Sequence, residues 1–167
     1  MVQIREIAGS DAANFLTLCQ QLDRETQFML LEPDERVTTP TEQQTYLAAI
    51  LATDYHTIFV AENDGRLVGY LEAAGGMYRR NRHTAHLVIG ILQAFAGQGI
   101  GARLFATLEQ WAQRQHIHRL ELTVMAHNER AIRLYQKAGF EIEGTKRHSL
   151  YVNGAYVDEF YMAKLLP

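Results

Sequence analysis

The chain has 167 residues, the length of one domain and too short for two ordinary ones. Its residues are 47% hydrophobic and 21% charged, the balance of a folded protein rather than a disordered one. A net charge of −3, with an isoelectric point near 6.2, excludes a protein built to coat nucleic acid, and no run approaches the about 18 apolar residues of a membrane span.

The single cysteine, Cys19, rules out an internal disulfide and a cysteine-based zinc site. The opening residues lack the basic start and apolar stretch of a signal peptide, so a cytoplasmic, reducing setting is expected. Val2 to Ile7 alternates and predicts a first strand. Ser10 or Asp11 can cap a helix through Phe15, Leu18 and Leu22. A loop over 29–40 carries Glu32, Asp34, Glu35 and Arg36. Thr41 and Gln44 have capping-box spacing, and Tyr46, Leu47, Ile50 and Leu51 form the stripe of a second helix.

A strand-rich block follows. Thr57 to Ala61 and Leu67 to Ala73 flank Asn63-Asp64-Gly65, a hairpin signal. Beyond an arginine-rich link, Ala85 to Leu92 is apolar enough for a central strand. Ile100, Leu104, Leu108 and Trp111 then recur at helical spacing. Leu120, Leu122 and Val124 alternate as a strand. Asn128 can cap a helix whose inner face is Ala131, Leu134, Tyr135 and Ala138, with Gly139 at its end. Phe140 to Tyr151 and Ala155 to Leu165 form a last hairpin about Asn153-Gly154. The order β-α-α-β-β-β-α-β-α-β-β predicts one α/β domain over residues 1–167 with a mixed sheet.

Gly97, Gly99 and Gly101 stand where a strand empties into a helix. Glycines there let backbone amides approach a ligand, and the helix dipole favours a phosphate, so a diphosphate is the natural guest. The plainer reading is a tight turn with nothing bound. No Gly-Lys-Ser/Thr follows, which excludes a P-loop. Gly97, Gly99 and Ala102 also satisfy the G-x-G-x-x-A of a dinucleotide-binding fold, with Glu121 near the spacing of a ribose-binding acid. Glu121 lies early in its strand, however, and the chain lacks repeated βαβ halves.

Two segments resemble the GNAT (Gcn5-related) N-acetyltransferase superfamily. Ala96-Gly97-Gln98-Gly99-Ile100-Gly101 is similar to its Q/R-x-x-G-x-G/A, with Ala96 where Gln or Arg is usual. Asn128-Glu129-Arg130-Ala131-Ile132-Arg133-Leu134-Tyr135-Gln136-Lys137-Ala138-Gly139-Phe140 matches N-x-x-A-x-x-L-Y-x-K-x-G-F. The tail through Asn153-Gly154 to Met162 looks like the bacterial branch that acts on amino acids and small amines. The resemblance implies a mostly antiparallel sheet flanked by about four helices, and acetyl transfer from acetyl-CoA to a primary amine in a ternary complex. It also implies Gly97, Gln98, Gly99, Ile100, Gly101, Ala102 and Asn128 as coenzyme contacts, joined by the main chain of Ile89 and Ile91. A protein N-terminal acetyltransferase of the ribosomal-protein type, or a domain that binds acyl-CoA without turnover, are the alternatives. A homodimer is frequent in the family.

The chemistry needs an acid for the leaving sulfur and a base for the amine. A phenol titrates near 10, so Tyr135 is protonated at neutral pH and can donate to sulfur. Asn128 and Tyr135 share a helix side, about 10 Å apart along the axis. The plainer reading of Tyr135 is a packed aromatic. Glu72 and His86 are the candidate bases, and imidazole suits the task near neutrality; each also reads as an ordinary polar group at a strand end. Glu32 and Arg36 are candidate contacts for the acceptor's amine or carboxylate, against the plainer reading of a solvated loop. The seven histidines suggest a metal, but His116 and His118 point apart, His83 and His86 converge only in a turn, and no HExxH or facial set exists, so no metal is expected.

Overall fold

The computed structural model describes all 167 residues. Seven strands join in one sheet: β1 (Gln3–Glu6), β2 (His56–Asn63), β3 (Arg66–Gly75), β4 (Thr84–Ile91), β5 (Arg119–Met125), β6 (Glu141–Val152) and β7 (Ala155–Leu165). Their spatial order is β1-β2-β3-β4-β5-β7-β6. Only the β4–β5 pair is parallel, and α3 supplies the long crossover that a parallel pair needs. The helices are α1 (Ala12–Glu25), α2 (Pro40–Leu51), α3 (Ile100–Arg114) and α4 (Glu129–Lys137). This is a single α/β domain of the expected architecture, ending in a hairpin. No helix is long and apolar enough to cross a membrane.

Successive residues of β4 show how the layers divide. A Cβ on Gly90 would meet Leu22 of α1 at 2.7 Å, whereas Ile91 reaches towards Gly101 of α3. Alternate strand residues point to opposite faces, so α1 and α2 cover one face and α3 the other. The stripe of α3 is buried as expected, Leu104 and Leu108 completely. A Cβ on Gly101 would lie 2.8 Å from Leu134, so glycine is what lets α4 close onto α3.

Two local expectations are corrected. The second helix is capped by Thr39, not Thr41: the Thr39 hydroxyl accepts Glu42 N–H at 3.2 Å and Glu42 returns a bond to Thr39 N–H at 2.7 Å. Pro40 at the first helical position fits that frame. Tyr46 and Leu51 lie outside the buried stripe, which Gln43, Leu47 and Ile50 form.

Asp11 precedes α1 but does not cap it with its side chain. Its carboxylate accepts two bonds from Arg5, at 2.7 and 2.9 Å, and one from Ala8 N–H at 2.7 Å. The Arg5 guanidinium, helped by that amide, holds the Asp11 carboxyl below the usual range despite its burial. A depressed carboxyl stabilises the fold fully above its unfolded pKa, near 3.9, and loses that contribution as pH falls through the folded value. Asp11→Asn is therefore expected to remove up to about 1 kcal/mol at neutral pH. Melting curves should show its deficit closing below about pH 4; a deficit constant with pH would contradict the ion-pair account.

Candidate active site

The site begins where two strands part. β4 and β5 pair from Thr84↔Arg119 to His86↔Glu121 and no further. β4 continues beside β3 while β5 follows β7. Leu92 N–H donates to Val68 O at 2.9 Å, towards β3. Strand alternation then turns the N–H and C=O groups of Ile89 and Ile91, beyond the last paired residue, to the open edge. The expected main-chain role of Ile89 and Ile91 fits this edge, and their side chains pack against the core.

The glycine segment lies at the end of this opening. Gly97 and Gly99 have φ of 78° and 77°, the left-handed region that glycine enters without strain. The first bond of α3 is Arg103 N–H to Gly99 O at 3.2 Å. The amides of Ile100, Gly101 and Ala102 therefore have no intrahelical partner and carry the positive end of the helix dipole. Gln98 folds back, its amide donating to Ala94 O at 3.3 Å. Its backbone, rather than its side chain, faces any ligand here. A cation that the sequence reading missed comes from α4: Arg130 Nη2 is 3.3 Å from where a Cβ on Gly97 would stand. Arg130 makes no ion pair, whereas its neighbour Arg133 pairs with Glu129. Left-handed glycines, free amides and an unpaired guanidinium make a cradle that suits the diphosphate of a coenzyme A.

Tyr135 lies on α4, the helix that also brings Arg130 to the glycine turn. Its residue is 7% exposed, with its ring against Phe105 and Phe140 at 6.0 and 6.2 Å. The hydroxyl has no protein partner, yet no sealed polar side-chain atom lacks one, so the hydroxyl meets open space. Burial pushes this phenol up, which keeps it protonated. Asn128 caps α4, its Oδ1 accepting Ala131 N–H at 3.3 Å. That bond occupies the oxygen and leaves the amide group for a ligand.

The candidate bases separate. Glu72 lies opposite Val88, on the face covered by α1 and α2. Its Oε1 accepts from Tyr46 at 2.5 Å and meets His56 Nε2 at 2.7 Å. His86 lies opposite Ala74, farther along that face and exposed, and no hydrogen bond joins it to Glu72. In the loop, Glu32 is exposed, and its N–H is held by Glu35 at 2.8 Å. Arg36 turns inward onto Asp23, which is 3% exposed, with bonds of 2.6 and 3.1 Å. Glu32 and Arg36 thus part company.

A cavity of about 510 Å³ opens between the end of α1, the β5–α4 connection and the last hairpin. Gln27, His127, His148, Tyr156 and Asp158 are among its lining. His148, Tyr156 and Asp158 belong to the tail segment read above, whereas Gln27 and His127 come from distant segments that no motif marks. No three His, Cys, Asp or Glu side chains converge on a metal-holding point.

The fold has counterparts among known proteins. The model of the acetyltransferase (GNAT) family matches residues 21–140. An L-amino acid N-acetyltransferase of Escherichia coli is 36% identical over 110 residues, covering 64% of this chain and 66% of that protein. The chain thus spans just under two thirds of that relative. A GNAT-family acetyltransferase from Streptococcus pneumoniae superposes with a TM-score of 0.95 at 31% identity, covering 100% of both chains. The yncA protein of Salmonella typhimurium, solved with its cofactor acetyl-CoA, shares the fold with a TM-score of 0.87 at 20% identity, covering 100% of this chain and 95% of that one.

Proposed function

We propose that this chain, which belongs to the acetyltransferase (GNAT) family, is an acetyl-CoA-dependent acetyltransferase whose acceptor is the primary amine of a small molecule, an amino acid foremost. The observation that carries this reading is the Tyr135 hydroxyl, which has no protein partner and is not sealed from solvent. The amino-acid preference draws on the Escherichia coli relative.

Acetyl-CoA, when bound, supplies an acetyl group activated as a thioester. The Ile100 to Ala102 amides and Arg130 hold its diphosphate, and the edge groups of Ile89 and Ile91 hold its amide-bearing arm. An edge amide of β4 donates to the carbonyl oxygen that gains charge. Tyr135 donates its hydrogen bond to the departing sulfur. Its raised pKa keeps the proton on the phenol between turnovers, and the proton released by the amine balances the thiol formed. Direct transfer in a ternary complex needs both substrates on one opening, and the parting of β4 from β5 supports that reading.

Thiol release from acetyl-CoA, followed against amino acids, polyamines, aminoglycosides and short peptides, tests this reading. Release dependent on small amines, strongest with an amino acid, is the expected result. Release only with peptides bearing a free N-terminus would transfer the enzyme to the protein-acetylating class. Binding of acetyl-CoA with no release from any acceptor would favour a binding domain without turnover.

A further inference from the structure

The far end of the sheet carries charge that the acetyl-transfer site does not use. The β3–β4 loop holds Arg79, Arg80 and Arg82, all exposed and none in an ion pair. Arg114, at the end of α3, is exposed and unpaired in the same way. The α3–β5 connection is held to the loop, His83 O accepting His118 N–H at 2.8 Å and Arg119 N–H at 2.9 Å. Because β4 runs from Thr84 to Ile91, the loop stands about 23 Å along the strand from the opening beside Ile91.

The loop is shaped before any partner arrives. Asn81 Oδ1 accepts Tyr78 N–H at 2.9 Å, Asn81 N–H donates to Tyr78 O at 3.0 Å, and Asn81 O accepts Thr84 N–H at 3.0 Å. A side chain on Gly76 would overlap Asn81, so glycine is what lets the turn close. This frame leaves Met77 and Tyr78 62% and 71% exposed, although nothing in the turn requires an apolar side chain there. Tyrosine, methionine and arginine are enriched where proteins meet, and lysine, which the loop lacks, is depleted there.

Charge names the partner and limits its size. Guanidinium groups are planar forks that pair with carboxylates two bonds at a time. Acid bounds the cluster on both sides of the β3–β4 pair. Towards β2, the exposed Asp54 stands one residue before Tyr55, whose carbonyl accepts Gly75 N–H at 2.7 Å. Towards β5, Arg119 is taken by Glu121 and Glu143, at 2.7 and 2.5 Å. The whole chain carries a net charge of −3. A polynucleotide would run off the loop onto acidic surface, whereas a short carboxylate-rich segment meets the arginines alone.

We propose that the loop from Met77 to Arg82, with Arg114, is a docking surface for an acidic segment of another protein. The segment's carboxylates lie on the guanidinium groups, and one apolar side chain packs against Met77 and Tyr78. The surface stands apart from the acetyl-transfer opening and holds its partner whatever acceptor that opening takes.

Fluorescence anisotropy of a labelled peptide, two pairs of glutamates about a central leucine, tests the surface on the full chain. Binding should weaken about five-fold as salt rises from about 50 to about 200 mM. Arg79→Gln, Arg80→Gln and Arg82→Gln together should weaken it at least about ten-fold. The rise in melting temperature given by CoA should stay intact in that variant, because the loop lies at the other end of β4 from the glycine turn. Tyr78→Ala should weaken the peptide about five-fold with its salt dependence unchanged, since only apolar contact is lost. The turn survives that change, its Asn81 bonds being made by the Tyr78 backbone. No binding at low salt, full binding by the triple variant, or a Tyr78→Ala protein that binds like the unmutated one would overturn the proposal. Tighter binding of an oligouridylate of the same charge would overturn it too, and would assign the surface to nucleic acid.

Discussion

Tyr135→Phe is expected to lower kcat by about two orders of magnitude, the usual contribution of a positioned proton donor. The fold should hardly notice. The Tyr135 ring is packed by Phe105 and Phe140, and its hydroxyl bonds to nothing in the protein, so the substitution removes no internal hydrogen bond. The acceptor's KM and the CoA-induced rise in melting temperature should also stay close to those of the unmutated enzyme, because the hydroxyl is asked only to stabilise the departing sulfur. A fall in KM-controlled rate with kcat intact would make Tyr135 a binding residue. No fall at all would return it to the plainer role of a packed aromatic.

The parts of this molecule that were legible in the sequence are those decided within a few residues. Asn128 caps α4 through its own side chain, Gly139 takes φ 96° just past that helix, and Asp64-Gly65 turns the β2–β3 hairpin with two positive φ values. The stripe of α3 and the glycines before it are equally local. Thr39 was missed because the apolar spacing of α2 defines a face and leaves its starting residue open; Pro40 carried the missing information.

The polar cluster about Glu72 was less legible because long-range pairing builds it. Tyr46 sat plausibly in an apolar stripe, yet its hydroxyl crosses to Glu72, 26 positions later in the chain. His56 reaches Glu72 only because β2 and β3 pair in one register, with Ile58 opposite Glu72. Arg36 finds Asp23 through the path of a loop that has no periodic signal. Arg130 comes to Gly97 from another element altogether, bringing a cation to a turn where Ala96 supplies no polar side chain. That last pairing makes the proposed phosphate cradle a joint product of α3 and α4, and the two contributions can be separated.

Gly99→Ala and Arg130→Gln are the two arms of that separation. Nothing lies within 4 Å of a Cβ on Gly99, so alanine there meets no clash and its cost is entirely in φ 77°. A non-glycine residue in that region costs about 1–2 kcal/mol. The chain either bears the strain, lowering the melting temperature by about 3 °C, or turns the peptide and misdirects the amides of Ile100 to Ala102. The second route is expected to weaken CoA about ten-fold, since about 1.4 kcal/mol corresponds to that factor. Arg130→Gln should behave differently. Its guanidinium is exposed and makes no ion pair, so the melting temperature of the free protein should remain within about 1 °C. CoA should still bind about five-fold more weakly, with a shallower dependence on salt. Calorimetric titration with CoA and with pantetheine, which lacks the diphosphate, distinguishes the outcomes. Both variants should bind pantetheine as the unmutated protein does. Equal losses for the two ligands would mean that the turn shapes the arm-binding edge of β4 rather than the phosphate cradle.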